Sequence, residues 1–142
     1  MKDLSAFKFS YPIQARWSDL DALGHVNNAV FITYFEIARA QYMIEACPGW
    51  SWHKHMFLIA DIQASFKTEL RLSATEIEVS VRTTQMGTKS FGLEYAVSSK
   101  VEGKTLIHAT GTSVQVMFDM GSKKTIPIAD WVRTNLENFE AN

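Results

Sequence analysis

Between Trp17 and Arg39 the chain concentrates side chains suited to acyl chemistry. The run Asp19-Leu20-Asp21-Ala22-Leu23-Gly24-His25-Val26-Asn27-Asn28 holds two carboxylates, one glycine, one histidine and two asparagines within ten residues. Residues 29–47 contain neither Gly nor Pro and end at Pro48-Gly49, which predicts a helix over that range. The first N–H groups of such a helix lack internal partners, and its dipole adds partial positive charge there. That terminus can hold an anion or stabilise an oxyanion. An aspartate nearby supplies a base or a nucleophile. Carboxylate plus oxyanion site is the minimum equipment for acyl transfer to water. A structural account fits the same residues, since Asp and Asn commonly cap helices and Gly24 suits a turn. Spacing alone leaves both readings open.

The elements that must position this loop follow from periodicity. The helix after it carries only three charges, Glu36, Arg39 and Glu45, and four aromatics, Phe31, Tyr34, Phe35 and Tyr42. Apolar side chains on nearly every face mark a helix enclosed by protein. Glu36 and Arg39, at i,i+3, are expected to pair. Residues 7–18 read as a first strand. Four more strands follow at 58–66, 76–82, 89–97 and 105–118. Their expected apolar rows are Leu58, Ala60, Ile62, Ala64 and Phe66; Ile77, Val79 and Val81; Phe91, Leu93, Tyr95 and Val97; and Val114, Val116 and Phe118. Gly111 is expected at a bulge. Short turns at Gly87-Thr88 and Glu102-Gly103 make successive strands antiparallel. After Pro127, Val132, Leu136 and Phe139 predict a C-terminal helix. An apolar helix and about five antiparallel strands give an α+β fold, a curved sheet wrapped around the long central helix.

The 142 residues predict one domain over 1–142. Fourteen Lys and Arg against fifteen Asp and Glu leave a net charge of -1, which argues against nucleic-acid binding. No run approaches the ~18 apolar residues of a membrane span. Met1 to Ser10 has no apolar run of the secretory type. A lone cysteine, Cys47, fits a reducing compartment, and the expectation is a cytoplasmic protein.

Asp19-x-Asp21-x-x-Gly24-His25-Val26-Asn27-Asn28, with Tyr34-Phe35-Glu36-x-Ala38-Arg39 behind it, resembles the signature of hotdog-fold acyl-CoA thioesterases of the 4-hydroxybenzoyl-CoA thioesterase family. The resemblance covers nearly the whole chain, and its fold agrees with the packing argument above. It implies that Asp21 is the catalytic carboxylate, attacking the thioester carbonyl or activating water. The Asn28 backbone N–H would hold the thioester oxygen. His25 and Asn27 match a His-Val-Asn-Asn version also seen in plant-type acyl-carrier-protein thioesterases. Those enzymes carry Asn where this chain has Leu23, a departure that weakens a carrier-protein assignment. Asp19 reads as a structural hydrogen-bonding group. Phe31, Tyr34 and Phe35 would contact substrate. The family further implies a homodimer, or a dimer of dimers, with a continuous ten-strand sheet and sites shared between chains. Strand residues of the neighbour such as Lys89 and Ser90, or its 58–70 strand, would then face the motif loop, while basic residues such as Arg71, Arg82, Lys89, Lys100 and Lys104 could meet CoA phosphates. No cofactor is expected.

Other chemistries have weaker support. His53 and His55 lie near Cys47, but zinc needs three or four ligands at paired spacings, and no metal is expected. His108 reads as a satisfied core or interface histidine. No G-x-S-x-G, P-loop or G-x-G-x-x-G occurs. The same fold also hosts acyl-thioester dehydratases or hydratases, whose His-Phe-Pro is replaced here by His-Val-Asn. A non-catalytic acyl-thioester binding protein is the third class, and Asp21 argues against it. The aromatic segments, Trp50 and Trp52 included, fit aryl, branched or long aliphatic acyl groups alike.

Overall fold

The computed structural model describes residues 4–142. A short turn of 3₁₀ helix at Leu4–Ala6 precedes β1 (Phe9–Pro12), a second 3₁₀ turn (Trp17–Asp19) and the long helix α1 (Asn28–Ala46). Then come β2 (Met56–Phe66), β3 (Thr75–Met86), β4 (Ser90–Val101), β5 (Lys104–Asp119), β6 (Lys124–Thr125) and α2 (Asp130–Ala141). The strands form one antiparallel sheet in the order β1-β3-β4-β5-β2, with β6 added to β5. Among the described residues no helix is long and apolar enough to cross a membrane. The α+β hotdog architecture anticipated from the sequence is the one observed.

α1 lies against the inner face of the sheet. Its Phe31, Tyr34, Phe35, Ala38, Tyr42, Met43 and Ala46 are buried there against Val79, Val81, Leu93, Tyr95 and Ala109. The Phe35 ring stacks on Tyr95 with centroids 4.5 Å apart. α2 closes one end by burying Val132 and Leu136, and Phe139 meets Tyr42 edge to face. This chain does not enclose α1 on every side, however. Ile32, Ile37 and Ile44 remain exposed, so part of its apolar surface has no cover within one copy.

Four local expectations are corrected. The first strand is much shorter than 7–18, because the Asp19 carboxylate captures the Arg16 backbone N–H at 3.0 Å and closes the chain into the 3₁₀ turn. In β2 the register slips between Ile59 and Asp61. Ala60 is the extra residue, so Leu58 pairs with Val116 on one face while Ile62, Ala64 and Phe66 pair with Ser113, Gly111 and Ala109 on the other. In β5 the inward row is Ala109, Gly111, Ser113, Gln115 and Met117, whereas Val114, Val116 and Phe118 face away and are only half-buried.

Gly111 sits in regular register with Tyr95 and Ala64. The irregularity in β5 falls at His108, skipped between the Val97–Ala109 and Ser98–Ile107 pairs. Gly111 answers a different demand. A Cβ there would lie 2.5 Å from the Phe35 ring and 2.7 Å from the Gln63 carbonyl, so only glycine admits the helix this close.

Candidate active site

The motif loop is a tight reversal anchored at both ends. Leu20 bridges Val26, the Asp21 N–H donates to the His25 carbonyl at 2.8 Å, and Gly24 takes a positive φ of 80° to complete the turn. Asp19 forms the inner anchor. Its buried carboxylate accepts from the Arg16 backbone, the Arg16 guanidinium at 3.0 Å and the Tyr34 hydroxyl at 2.7 Å. Its carbonyl accepts from the Asn27 N–H at 2.9 Å. Burial pushes this carboxyl up, but the Arg16 backbone, the Tyr34 hydroxyl and the Arg16 guanidinium outweigh it and hold the group below its ordinary value. Asp19 is thus structural, as read from the sequence.

Asp21 lies on the exposed side of the same turn. Its Oδ1 accepts from the N–H groups of Leu23 at 2.9 Å and His25 at 3.1 Å. Those bonds fix the carboxylate plane, and Oδ2 has no partner among the described residues. Asn27 is the N-cap of α1, its side-chain oxygen accepting from the Ala29 N–H at 2.9 Å. The Val30 N–H donates to the Asn27 carbonyl at 2.9 Å. That leaves the Asn28 N–H, at the very start of the helix, without an acceptor among the described residues.

An open depression of about 170 Å³ is lined by Asp21, His25, Val26, Asn28, Phe31 and the segment 66–69. The structure therefore brings together Asp21, His25, Asn28 and Phe31 among the residues singled out by sequence. Asn27 serves its rim as a helix cap. Tyr34 is buried, spending its hydroxyl on Asp19, and Phe35 is wholly inside the core. Lys89 and Ser90 sit at the far end of the sheet. The Lys67 N–H reaches the His108 carbonyl near one end of β5, whereas the Met117 N–H reaches the Lys89 carbonyl near the other. Within one copy they do not approach the motif loop.

Sequence reading missed the polar wall of the depression. After β2 the Val26 N–H donates to the Leu70 carbonyl at 2.8 Å, and His25 bridges Arg71. This zips the segment Lys67 to Arg71 onto the loop. His25 Nε2 lies 2.7 Å from Glu69 Oε2 and 3.0 Å from Arg71 Nη2, and Arg71 Nε donates to Glu69 Oε1 at 3.0 Å. One ring nitrogen cannot serve both partners. With a proton it donates to Glu69; without one it accepts from Arg71.

His108 locks the wall from beneath. Its Nδ1 faces the carbonyls of Thr68 at 3.1 Å and Glu69 at 3.0 Å, so that nitrogen carries the hydrogen. Nε2 then accepts from the Ser99 hydroxyl at 2.8 Å. His108 is the satisfied buried histidine that the sequence suggested. Of the other basic residues, Arg82 donates to Glu94 at 2.7 Å and Lys100 to Thr105 at 2.8 Å.

His55 accepts from the Ser51 N–H at 2.9 Å through Nδ1 and packs between Trp50 and Trp131. Burial pushes the Cys47 thiol up to about 11, which keeps it protonated and unreactive near neutrality. Among the described residues no group of three His, Cys, Asp or Glu side chains converges as metal ligands do.

The chain belongs to the thioesterase-like superfamily, whose family model matches residues 15–136. It is 30% identical to a Thermus thermophilus thioesterase solved with coenzyme A and Zn, with 97% of this chain and 98% of that one covered at a TM-score of 0.83. An uncharacterized protein of Bacillus subtilis (strain 168), YsmA, is 26% identical over 126 residues, 89% of this chain and 83% of the relative. A 4-hydroxybenzoyl-CoA thioesterase variant complexed with 4-hydroxybenzoyl-CoA shares the fold at a TM-score of 0.83 and 14% identity, with 90% of this chain and 97% of that one covered.

Proposed function

We propose that this chain hydrolyses an acyl-CoA thioester to the free acid and CoA, with Asp21 as the catalytic carboxylate. One observation carries the reading: Asp21, with Oδ2 uncommitted, and the unpartnered Asn28 N–H line the same depression at the start of α1. The thioester oxygen docks on the Asn28 N–H, where partial positive charge favours the tetrahedral oxyanion. Asp21 either takes a proton from water, whose oxygen then attacks the carbonyl carbon, or attacks directly. Direct attack gives a mixed anhydride that water opens. In both routes the C–S bond breaks, CoA leaves as a thiolate that takes up a proton, and the acid is released. His25, held by Glu69 and Arg71, sits on the same wall to orient or donate to the departing group.

The active unit is a homodimer joined through β2. β2 is an eleven-residue edge strand, Met56–Phe66, containing neither Pro nor Lys and only Asp61 as a charge. Such an edge invites antiparallel pairing with a second copy. The exposed Leu58, Ile59 and Phe66 along it gain cover in that arrangement. Lys89 and Ser90 of the second copy would then be free to meet the motif loop and the CoA chain. A cytoplasmic setting is supported by a single cysteine, buried and unpaired.

The test is release of free thiol from a panel of acyl-CoAs. Thiol release that is lost in Asp21→Asn supports the reading. An absorbance change without thiol indicates hydration or dehydration, and binding without either indicates a carrier.

A further inference from the structure

Arg39 is a buried cation whose one carboxylate partner among the described residues is the expected but long and exposed pair to Glu36. Its side chain is 8% exposed, and Nη1 donates to the Tyr95 hydroxyl at 3.1 Å. Tyr95 stands at the head of a chain of hydrogen bonds whose direction is fixed at its far end. The Gln115 amide nitrogen donates to the Phe91 carbonyl at 2.9 Å, so its oxygen accepts from Ser113. The Ser113 hydroxyl, having donated, accepts from Tyr95 at 2.5 Å, and Tyr95 accepts from Arg39. Every member is neutral, and burial holds the Tyr95 phenol above its ordinary value. The nearest carboxylate among the described residues, that of Glu36, stands off at 3.9 Å with its side chain 71% exposed.

A guanidinium offers five N–H donors, and a buried charge is costly unless paired. The remaining donors border a pocket of about 290 Å³ whose other walls are Glu36, Ala40, Trp52, Phe57 and Ile59. This is a largely apolar sleeve with a buried cation in its wall and the exposed Glu36 carboxylate at its rim. It lies between α1 and the start of β2, and an antiparallel β2–β2 pairing of the proposed dimer, centred near Asp61, would set it beside the Phe66 end of the second copy. Phe66 is where the Asp21 depression of that copy lies.

We infer that this pocket receives the distal end of the acyl group, and that the preferred acyl group ends in a carboxylate that pairs with Arg39. The inference rests on the acyl-CoA reading above and specifies its substrate class. Trp52, Phe57 and Ile59 would hold the methylene or aryl body, while a methyl-terminated chain would leave the guanidinium with only its long 3.9 Å pair to the exposed Glu36. Discrimination comes from replacing that loose pair with a direct, desolvated one.

The test compares matched thioesters: octanoyl-CoA with suberoyl-CoA, and benzoyl-CoA with 4-carboxybenzoyl-CoA. Wild type is expected to favour the carboxylate member of at least one pair by about tenfold or more in kcat/KM. In Arg39→Gln that ratio falls to about one. Thiol release without carboxylate preference in either pair overturns the inference and leaves hydrolysis standing, and that outcome is read on wild type alone. Thiol release from none of the four sinks the hydrolase reading. The pocket is then judged by thermal shift. Greater stabilisation of wild type by suberate than by octanoate, lost in Arg39→Gln, supports the carboxylate site. Equal stabilisation by the two overturns it. If Arg39→Gln does not fold, Arg39→Lys, which keeps the charge but not the planar fork, should retain a reduced preference; an undiminished preference counts against a paired guanidinium.

Discussion

The carboxylate of Glu69 sits 2.7 Å from Nε2 of His25, although forty-odd residues and a whole strand separate them in the chain. Any contribution of Glu69 to turnover is therefore expected to run through His25. His25→Ala is expected to lower kcat by less than Asp21→Asn does. Glu69→Gln should give a smaller loss in the same direction, and the double variant should be no worse than His25→Ala alone. Independent, additive losses would show that Glu69 does not work through the ring. A pH–rate profile unaltered by His25→Ala would exclude the ring as acid or base.

Asp19 and Asp21 should separate cleanly in stability. Asp19→Asn weakens charge-assisted bonds to Arg16 and Tyr34 and is expected to cost about 1.5–3 kcal/mol by urea denaturation. Asp21→Asn, on the exposed side of the turn, should cost less.

The depressed Asp19 carboxyl also fixes a sign. Because its folded value lies below the ordinary 3.8, its stabilisation is complete above that value and is lost as pH falls through the lower folded value. Wild type should therefore lose stability faster than Asp19→Asn on acidification below about pH 4. Parallel acid profiles for the two proteins would contradict the assignment.

Gly111→Ala tests the seat of α1. A Cβ 2.5 Å from the Phe35 ring forces helix and sheet apart, and overpacking of this kind typically costs about 1–3 kcal/mol. A denaturation midpoint equal to wild type would mean that the helix does not sit as described.

Much of this was legible in the sequence because it is local. The loop from Asp19 to Asn28, the cap at Asn27 and the start of α1 follow from residues that are neighbours in the chain. What sequence could not give is long-range or polar. The phase of β5 was misread because its inward row carries Ser113 and Gln115, the tail of the Arg39 network, while the apolar Val114 and Val116 face away. The alternation of β2 broke at Ala60, a bulge residue that looks like any other small strand residue. Glu69 was not singled out and Arg71 only as one of several basic residues, because the pairing with residues 25–26 that brings both to the loop is long-range.

Assembly through β2 is testable at its surface. Leu58 and Ser65 share the outer face of the strand, paired with Val116 and Thr110. Introducing Lys at both sets like charges along the proposed seam. Sedimentation should show the double variant shifting toward monomer with activity falling in parallel. An active monomer, variant or wild type, would overturn the shared site.

Thiol release by folded Asp21→Asn, measured beside wild type on the best acyl-CoA of the panel, bears most directly on the central claim. Asparagine keeps the shape of the group and can still accept from the Leu23 and His25 N–H groups, but it cannot act as an anionic base or nucleophile. The account predicts a fall in kcat of about 10²–10⁴-fold with the fold retained and only a small change in thermal stability. A variant that stays folded and turns over at the wild-type rate would show that Asp21 is not the catalytic carboxylate.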